Sequence, residues 1–393
     1  MVDDGSTAIV LLFVNSTSVY MTLKSGYSNN RGQQLVRGKG AEFTTGEWIT
    51  YVDSPLRLRT RLEHIDIAKG IGIVLVVFGH LSGIESIPHW LTLSRSFIYQ
   101  FHIPLFFFIS GMFYKGDDAW GAFLIKKTKR LYVPFVVANG LFLIIDVCLR
   151  CLSHEPVVLV DNLKHFVKVL LLLSVTPLGG ATWFLKALFV IAILYKFLWQ
   201  LSESRLFVLI ICLLLGFSGT YIQPDYSASA IMVGLLFYCL GNNVKLVNYQ
   251  NVSYQKSTIL ALVFLSVLVL MCAVNNVDIA MGIYQNRLLV FPGAVIGIIM
   301  ILLISSMLSN VRIISKMLSY LGQHTMSILI GHFLAFKIVI VVQMLLCDLP
   351  VSVIMSHPCY DVSRGWWIAY FVLGLLLPVV PAYLKEKRII VCK

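Results

Sequence analysis

The sequence predicts an all-α fold of the polytopic membrane class, with about ten transmembrane helices, and three observations predict it. Apolar residues make up 58% of the chain and charged residues 13%, against ~45–50% and ~25% in soluble domains. The apolar residues fall into runs near the ~20 residues that a helix needs to cross a bilayer, rather than alternating as in a membrane barrel. Basic residues gather in short clusters beside those runs, as they do on cytoplasmic loops. A soluble enzyme, a disordered chain and a disulfide-rich secreted module are excluded. The net charge of +12 is read as loop charge facing membrane lipids, with no nucleic acid as partner.

The runs place helices at roughly Ile67–Ser86, Ser96–Tyr114, Tyr132–Leu149, Thr182–Trp199, Arg205–Gly219, Ser227–Leu240, Ser257–Val274, Leu288–Leu308, Thr325–Leu346 and Trp366–Leu384. The fifth and sixth are short. Phe166–Val175 is apolar over only about ten residues and reads as a re-entrant or interfacial piece. Arg57, Arg59 and Arg61 precede the first helix; Lys126, Lys127, Lys129 and Arg130 follow the second. Lys245 and Lys256 follow the sixth, Arg312 and Lys316 the eighth, and Lys385, Lys387 and Arg388 the tenth. With ten spans these clusters share one side, so both termini are expected in the cytoplasm. Residues 1–56 fall outside the pattern. Ala8–Val14 is too short to span and follows Asp3 and Asp4 rather than a basic stretch. The segment reads as a flexible leader or a wrongly assigned start, ahead of a membrane domain over 57–393.

Ionisable groups inside a bilayer are costly and therefore functional candidates. The first helix carries Asp66, Lys69 and His80. Eleven residues are close to three helical turns, so Lys69 and His80 share a face, about 16 Å apart along the axis. With Lys69 at the cytoplasmic interface, His80 is expected near mid-membrane. Gly70, Gly72 and Gly79 admit a close neighbour. The second helix carries His102, Pro104 and Ser110-Gly111. Pro104 lacks a backbone donor and is expected to kink the helix near His102.

These two helices resemble the membrane acyltransferase-3 family, in particular its branch of fucose 4-O-acetylase-like and related sugar O-acetyltransferases. The resemblance is carried by Asp66 to His80 (DIAKGIGIVLVVFGH) and by Phe101 to Gly111 (FHIPLFFFISG). Weaker matches are Thr182-Trp183-Phe184-Leu185, and Leu321-Gly322 with His332. Much of the family has Arg where this chain has Lys69; this branch commonly has Lys.

The resemblance implies transfer of an acyl group, usually acetyl, from acetyl-CoA to a hydroxyl of a cell-surface carbohydrate or lipid-linked glycan. It implies a place in polysaccharide biosynthesis at the bacterial inner membrane. His80 is then the general base, or alternatively carries the acyl group itself. Lys69 meets the phosphates or pantetheine of acetyl-CoA, and Asp66 orients Lys69 or forms a plain i,i+3 ion pair with it. His102 contacts the acceptor or polarises the thioester carbonyl. His332 is an acceptor contact or an interhelical hydrogen bond. Trp183 stacks on a sugar or joins an aromatic belt. Ser110 is a candidate acceptor contact beside the packing role of a small-residue pair.

The competing class is a secondary transporter of a sugar or other small solute, which also has broken helices and midplane ionisable groups. No metal is expected, although three histidines can bind zinc. Cys347 and Cys359 leave a disulfide or two free thiols open.

Overall fold

The computed structural model describes residues 55–202, 204–222, 227–244 and 253–391, with side chains over 63–386. Lys245 and all but the last two residues of the expected leader lie outside the described residues. The order begins α1 (Pro55–Gly79), β1 (Gly83–Ser86), α2 (His89–Tyr99), α3 (His102–Met112) and α4 (Trp120–Lys127). A π-helical turn joins α4 to α5 (Val133–Leu152), followed by α6 (Leu159–Leu170), α7 (Trp183–Leu201), α8 (Arg205–Gly219) and α9 (Ala228–Val244). Then come α10 (Tyr254–Cys272), β2 (Val277–Asp278), β3 (Ile283–Tyr284), α11 (Arg287–Leu308), α12 (Arg312–Gln323) and α13 (Thr325–Leu346). The order closes with β4 (Cys359–Asp361), α14 (Trp366–Leu376) and α15 (Val380–Val391).

The protein is all-α, with two small strand pairs among the described residues. Among the described residues six helical stretches are long and apolar enough to cross a membrane: Trp120–Leu152, Gly180–Leu201, Tyr254–Cys272, Arg287–Leu308, Thr325–Leu346 and Trp366–Glu386. Helices α8 and α9 are apolar but shorter, at the positions of the short fifth and sixth runs. Helix α8 turns Leu206, Phe207, Leu213 and Leu214 outward, which suits a lipid surround in which apolar exposure carries no penalty, whereas α9 is largely buried in the bundle.

Three element ends differ from expectation. The first helix is Pro55–Gly79 rather than Ile67–Ser86, because Gly83–Ser86 leaves the helix to pair in parallel with β4. His80 consequently follows the last helical residue instead of lying mid-helix. The second helix is broken, not merely kinked, between α2 and α3 at Gln100–Phe101. Pro104 has no N–H for the Gln100 carbonyl, and its ring crowds that same group. Near the C-terminal end, Pro378 marks a 3₁₀ turn between α14 and α15. The segment expected as a re-entrant or interfacial piece forms the end of α6 and the turn after it, with Leu170 O accepting from Tyr132 Oη at 2.9 Å.

Backbone-to-backbone contacts set the helix positions. A Cβ at Gly111 would lie 1.9 Å from Tyr238 O and one at Gly241 1.9 Å from Phe108 O, so α3 and α9 touch through these residues. A Cβ at Gly70 would lie 2.0 Å from Leu318 O and one at Gly322 1.8 Å from Asp66 O. The Leu321-Gly322 motif is thus the place where α12 seats on α1. With lipid as apolar as leucine, such close packing supplies much of the association. Gly322→Ala is expected to lower the melting temperature and folded yield, since overpacking costs ~1–3 kcal/mol or more. Thermal unfolding in detergent measures it, with Gly121→Ala as control, where nothing lies within 4 Å.

Among the described residues two large apolar cores result, one about α3, α7, α9 and α11, the other about the end of α1 with α13 and α14, beside a small cluster of Ala138, Phe142 and Leu178. Phe106 and Leu329 pack against both, and the candidate site lies at this seam.

Candidate active site

Because α1 stops at Gly79, the His80 backbone is held from three directions. Its amide still reaches Val76 O at 3.2 Å, and its carbonyl accepts from the Ser82 amide at 2.8 Å. The Cys359 thiol on β4 faces that same carbonyl at 3.9 Å. One residue earlier, Gly79 O accepts from Tyr99 Oη on α2 at 3.1 Å. The ring projects toward α13.

There it meets His332, which is fully buried. His80 Nδ1 and His332 Nε2 are 3.1 Å apart, in nearly parallel rings with centroids 5.1 Å apart. The tautomers follow from the next partner along. His332 Nδ1 lies 2.9 Å from Ile328 O, and a carbonyl only accepts, so that nitrogen carries the hydrogen. In neutral His332 the Nε2 lone pair then accepts from His80 Nδ1–H. His80 is left with its lone pair on Nε2, in a residue that is half-buried where His332 is fully buried.

His102 opens α3 beside the helix break. Its Nδ1 donates to Ile98 O at 2.9 Å, and its ring lies 4.8 Å from Tyr99. Neutral His102 therefore also presents an Nε2 lone pair, suited to receive a hydroxyl proton rather than to donate to an oxyanion. Arg95, His102, His332 and His357 all lie within electrostatic reach of His80. Arg95 sits over the Tyr99 ring at 4.7 Å and pairs with Asp278 at 3.4 Å. Burial raises the Asp278 carboxyl pKa, and the Met281 amide and Arg95 pull it back. Among the described residues no group of three or more His, Cys, Asp or Glu is arranged to hold a metal ion.

Two imidazoles in series, with a free lone pair on the less buried ring, have the chemistry of a base suited to an alcohol. Residues 62–384, most of the chain, match the acyltransferase domain family Acyl_transf_3. The chain belongs to the acyltransferase-3 family. It is also similar to nodulation protein NolL of Mesorhizobium japonicum, 26% identical over 201 residues, 48% of this chain and 48% of that protein. The chain thus spans about half the length of that curated relative. No solved structure matches it.

Within this acyltransferase-3 chain the other expected site residues are spread along the bundle. Lys69 and Asp66 form a direct i,i+3 ion pair on α1, each partly exposed, at the end of the bundle where α12 packs. Ser110 is half-buried two turns beyond His102. Trp183 is half-buried at the start of α7, its ring edge-on to Phe184. The loop before it is fixed by buried Asn139. Its Nδ2 donates to Thr182 Oγ1 at 2.8 Å, and its Oδ1 accepts from the Thr176 amide at 2.8 Å. Cys347 and Cys359 are free thiols, one exposed and one buried.

Sequence reasoning missed His357, Lys337 and Asn139. Lys337 carries a plain signal, a cation inside an apolar run. His357 carries none, because its loop reads as solvent-facing and is instead folded inward.

Proposed function

We propose that this acyltransferase-3 protein moves an acetyl group from acetyl-CoA to a hydroxyl of a cell-surface or lipid-linked carbohydrate, with His80 as general base. The observation that carries the proposal is the His80–His332 hydrogen bond, which leaves a lone pair on His80 Nε2. The acceptor O–H proton passes to that nitrogen as the hydroxyl oxygen attacks the thioester carbonyl carbon. The carbon–sulfur bond then breaks, and the departing sulfur takes the proton back from the imidazolium, releasing CoA thiol and the ester. His332 holds the tautomer and orientation. His102 accepts a hydrogen bond from the bound acceptor. Ser110 and Trp183 line the path between donor and acceptor.

The donor enters from the Lys69 end, where the phosphates meet a cation whose charge is shared with Asp66. The membrane domain over 57–393, the leader over 1–56, the bacterial inner membrane and the cytoplasmic termini belong to the same proposal, supported by the charge bias of the loops. Lys69→Ala is expected to raise KM for acetyl-CoA about tenfold, the worth of a lost hydrogen bond to a charged group. Asp66→Asn, which frees Lys69, leaves that KM no higher. An unchanged KM in Lys69→Ala removes Lys69 from donor binding. The function itself is tested by the ester content of surface glycans, read by NMR in cells with and without the gene. Loss of acetyl signals restored by the plasmid-borne gene supports it; identical spectra remove it.

A further inference from the structure

Between α13 and α14 the chain does not simply cross from one helix to the next. Residues 351–361 fold back against the bundle, and buried side chains hold them there. Lys337 on α13 donates from Nζ to Ile354 O at 2.8 Å and to Ser356 O at 2.5 Å. Gln343 Nε2 donates to Asp361 O at 2.8 Å, and Tyr370 Oη donates to Gln343 Oε1 at 2.5 Å. Strand β4 pairs with β1, three residues past His80. A buried cation within an apolar helix is costly, and here two of its donors fix the backbone just before one residue, His357.

The His357 ring lies edge-on to Phe333, centroids 4.7 Å apart. The same phenyl ring touches His80 at 4.9 Å and His332 at 4.2 Å. Only the width of Phe333 therefore separates His357 from the reacting pair. Across from both is Gly180, in the loop that Asn139 holds. A Cβ there would come within 3.1 Å of Phe333 and 3.6 Å of His357 Nε2, so glycine keeps that ring edge clear. His357 Nδ1 is buried with no hydrogen-bond partner among the described residues, although buried polar groups are nearly always paired.

We propose that His357 binds the carbohydrate acceptor, hydrogen-bonding a second hydroxyl of the sugar whose first hydroxyl is at His80. The proposal rests on the acyl-transfer reading above. It adds where the acceptor sits: at the end of the bundle away from Lys69, between the 351–361 segment and Gly180. Burial, then the charge of Lys337, push the imidazole pKa down to about 4, so the ring is neutral at pH 7. A neutral imidazole has one donor and one acceptor nitrogen, which matches a hydroxyl and not a phosphate or carboxylate.

The test uses the full chain in proteoliposomes, with labelled acetyl-CoA and de-O-acetylated surface glycan from the source cells as acceptor. If the wild type transfers no label, the acyl-transfer reading fails and takes this proposal with it. If it does, His357→Ala is expected to raise KM for the glycan ~10-fold, with KM for acetyl-CoA moving less than twofold. His357→Gln, whose amide both donates and accepts, recovers most of the affinity and stands in should the alanine variant not fold. Transfer intact in the wild type, with glycan KM unchanged in both variants, overturns the His357 proposal alone. So does a parallel rise in both KM values, which marks a structural role.

Discussion

His80→Ala is expected to lower acetyl transfer by about 10²–10⁴-fold at pH 7, the usual worth of a positioned base, while the protein still folds. The size follows from the chemistry at the helix end. A sugar hydroxyl is a weak nucleophile until its proton has somewhere to go, and in the proposed reaction that place is the His80 Nε2 lone pair. Folding is spared because His80 is half-buried and follows α1. The hydrogen bonds that end the helix there run through the backbone of residues 76–82 and through Tyr99. Alanine keeps all of them. Kinetics with labelled acetyl-CoA, beside a thermal melt of each variant, separate lost chemistry from lost structure. Wild-type transfer in His80→Ala removes His80 as the base.

The second large effect is at His332, fully buried and hydrogen-bonded to His80. His332→Leu is expected to lower kcat by roughly 10–10²-fold with little change in either KM, the usual cost of losing a partner that orients a functional histidine. Leucine leaves His80 Nδ1 without an acceptor, so the ring loses its fixed tautomer and turns more freely. His332→Gln is expected to recover part of the rate, because the amide oxygen can accept from His80 Nδ1–H. A purely packing role gives the opposite ranking, since leucine suits the buried apolar surroundings of α13 better than glutamine. The kcat and KM of the two variants, measured side by side, decide between them.

Much of the fold was legible because apolar runs of bilayer length are a strong signal and tolerate errors at their ends. The ends were not, and the reasons are physical. Gly83–Ser86 directly follows the apolar run although only Ile84 in it is apolar, and its pairing with β4, far along the chain, takes it out of the helix. Pro104 was legible as a disturbance, but whether a proline kinks or breaks a helix depends on what accepts the freed groups. At the site, helical spacing gave the axial position of His80 yet not what it faces. Two rings at similar depth meet only if their helices turn toward one another, which is a tertiary fact. Lys196 shows the converse limit. It is a fully buried cation in an apolar helix, yet its Nζ donates to Asp118 O at 2.6 Å and lies over the Trp120 ring at 5.3 Å. There the ionisable group clamps a loop.

The central claim is that an acyl group leaves CoA and arrives on a sugar oxygen under the hand of His80. Mass spectrometry of glycan recovered from proteoliposomes supplied with deuterated acetyl-CoA tests it most directly. The expected result is the deuterated acetyl ester with the wild type and at most about a hundredth of it with a folded His80→Ala protein. Equal ester from both, or unlabelled sugar crossing the bilayer with no acetyl-CoA consumed, contradicts it.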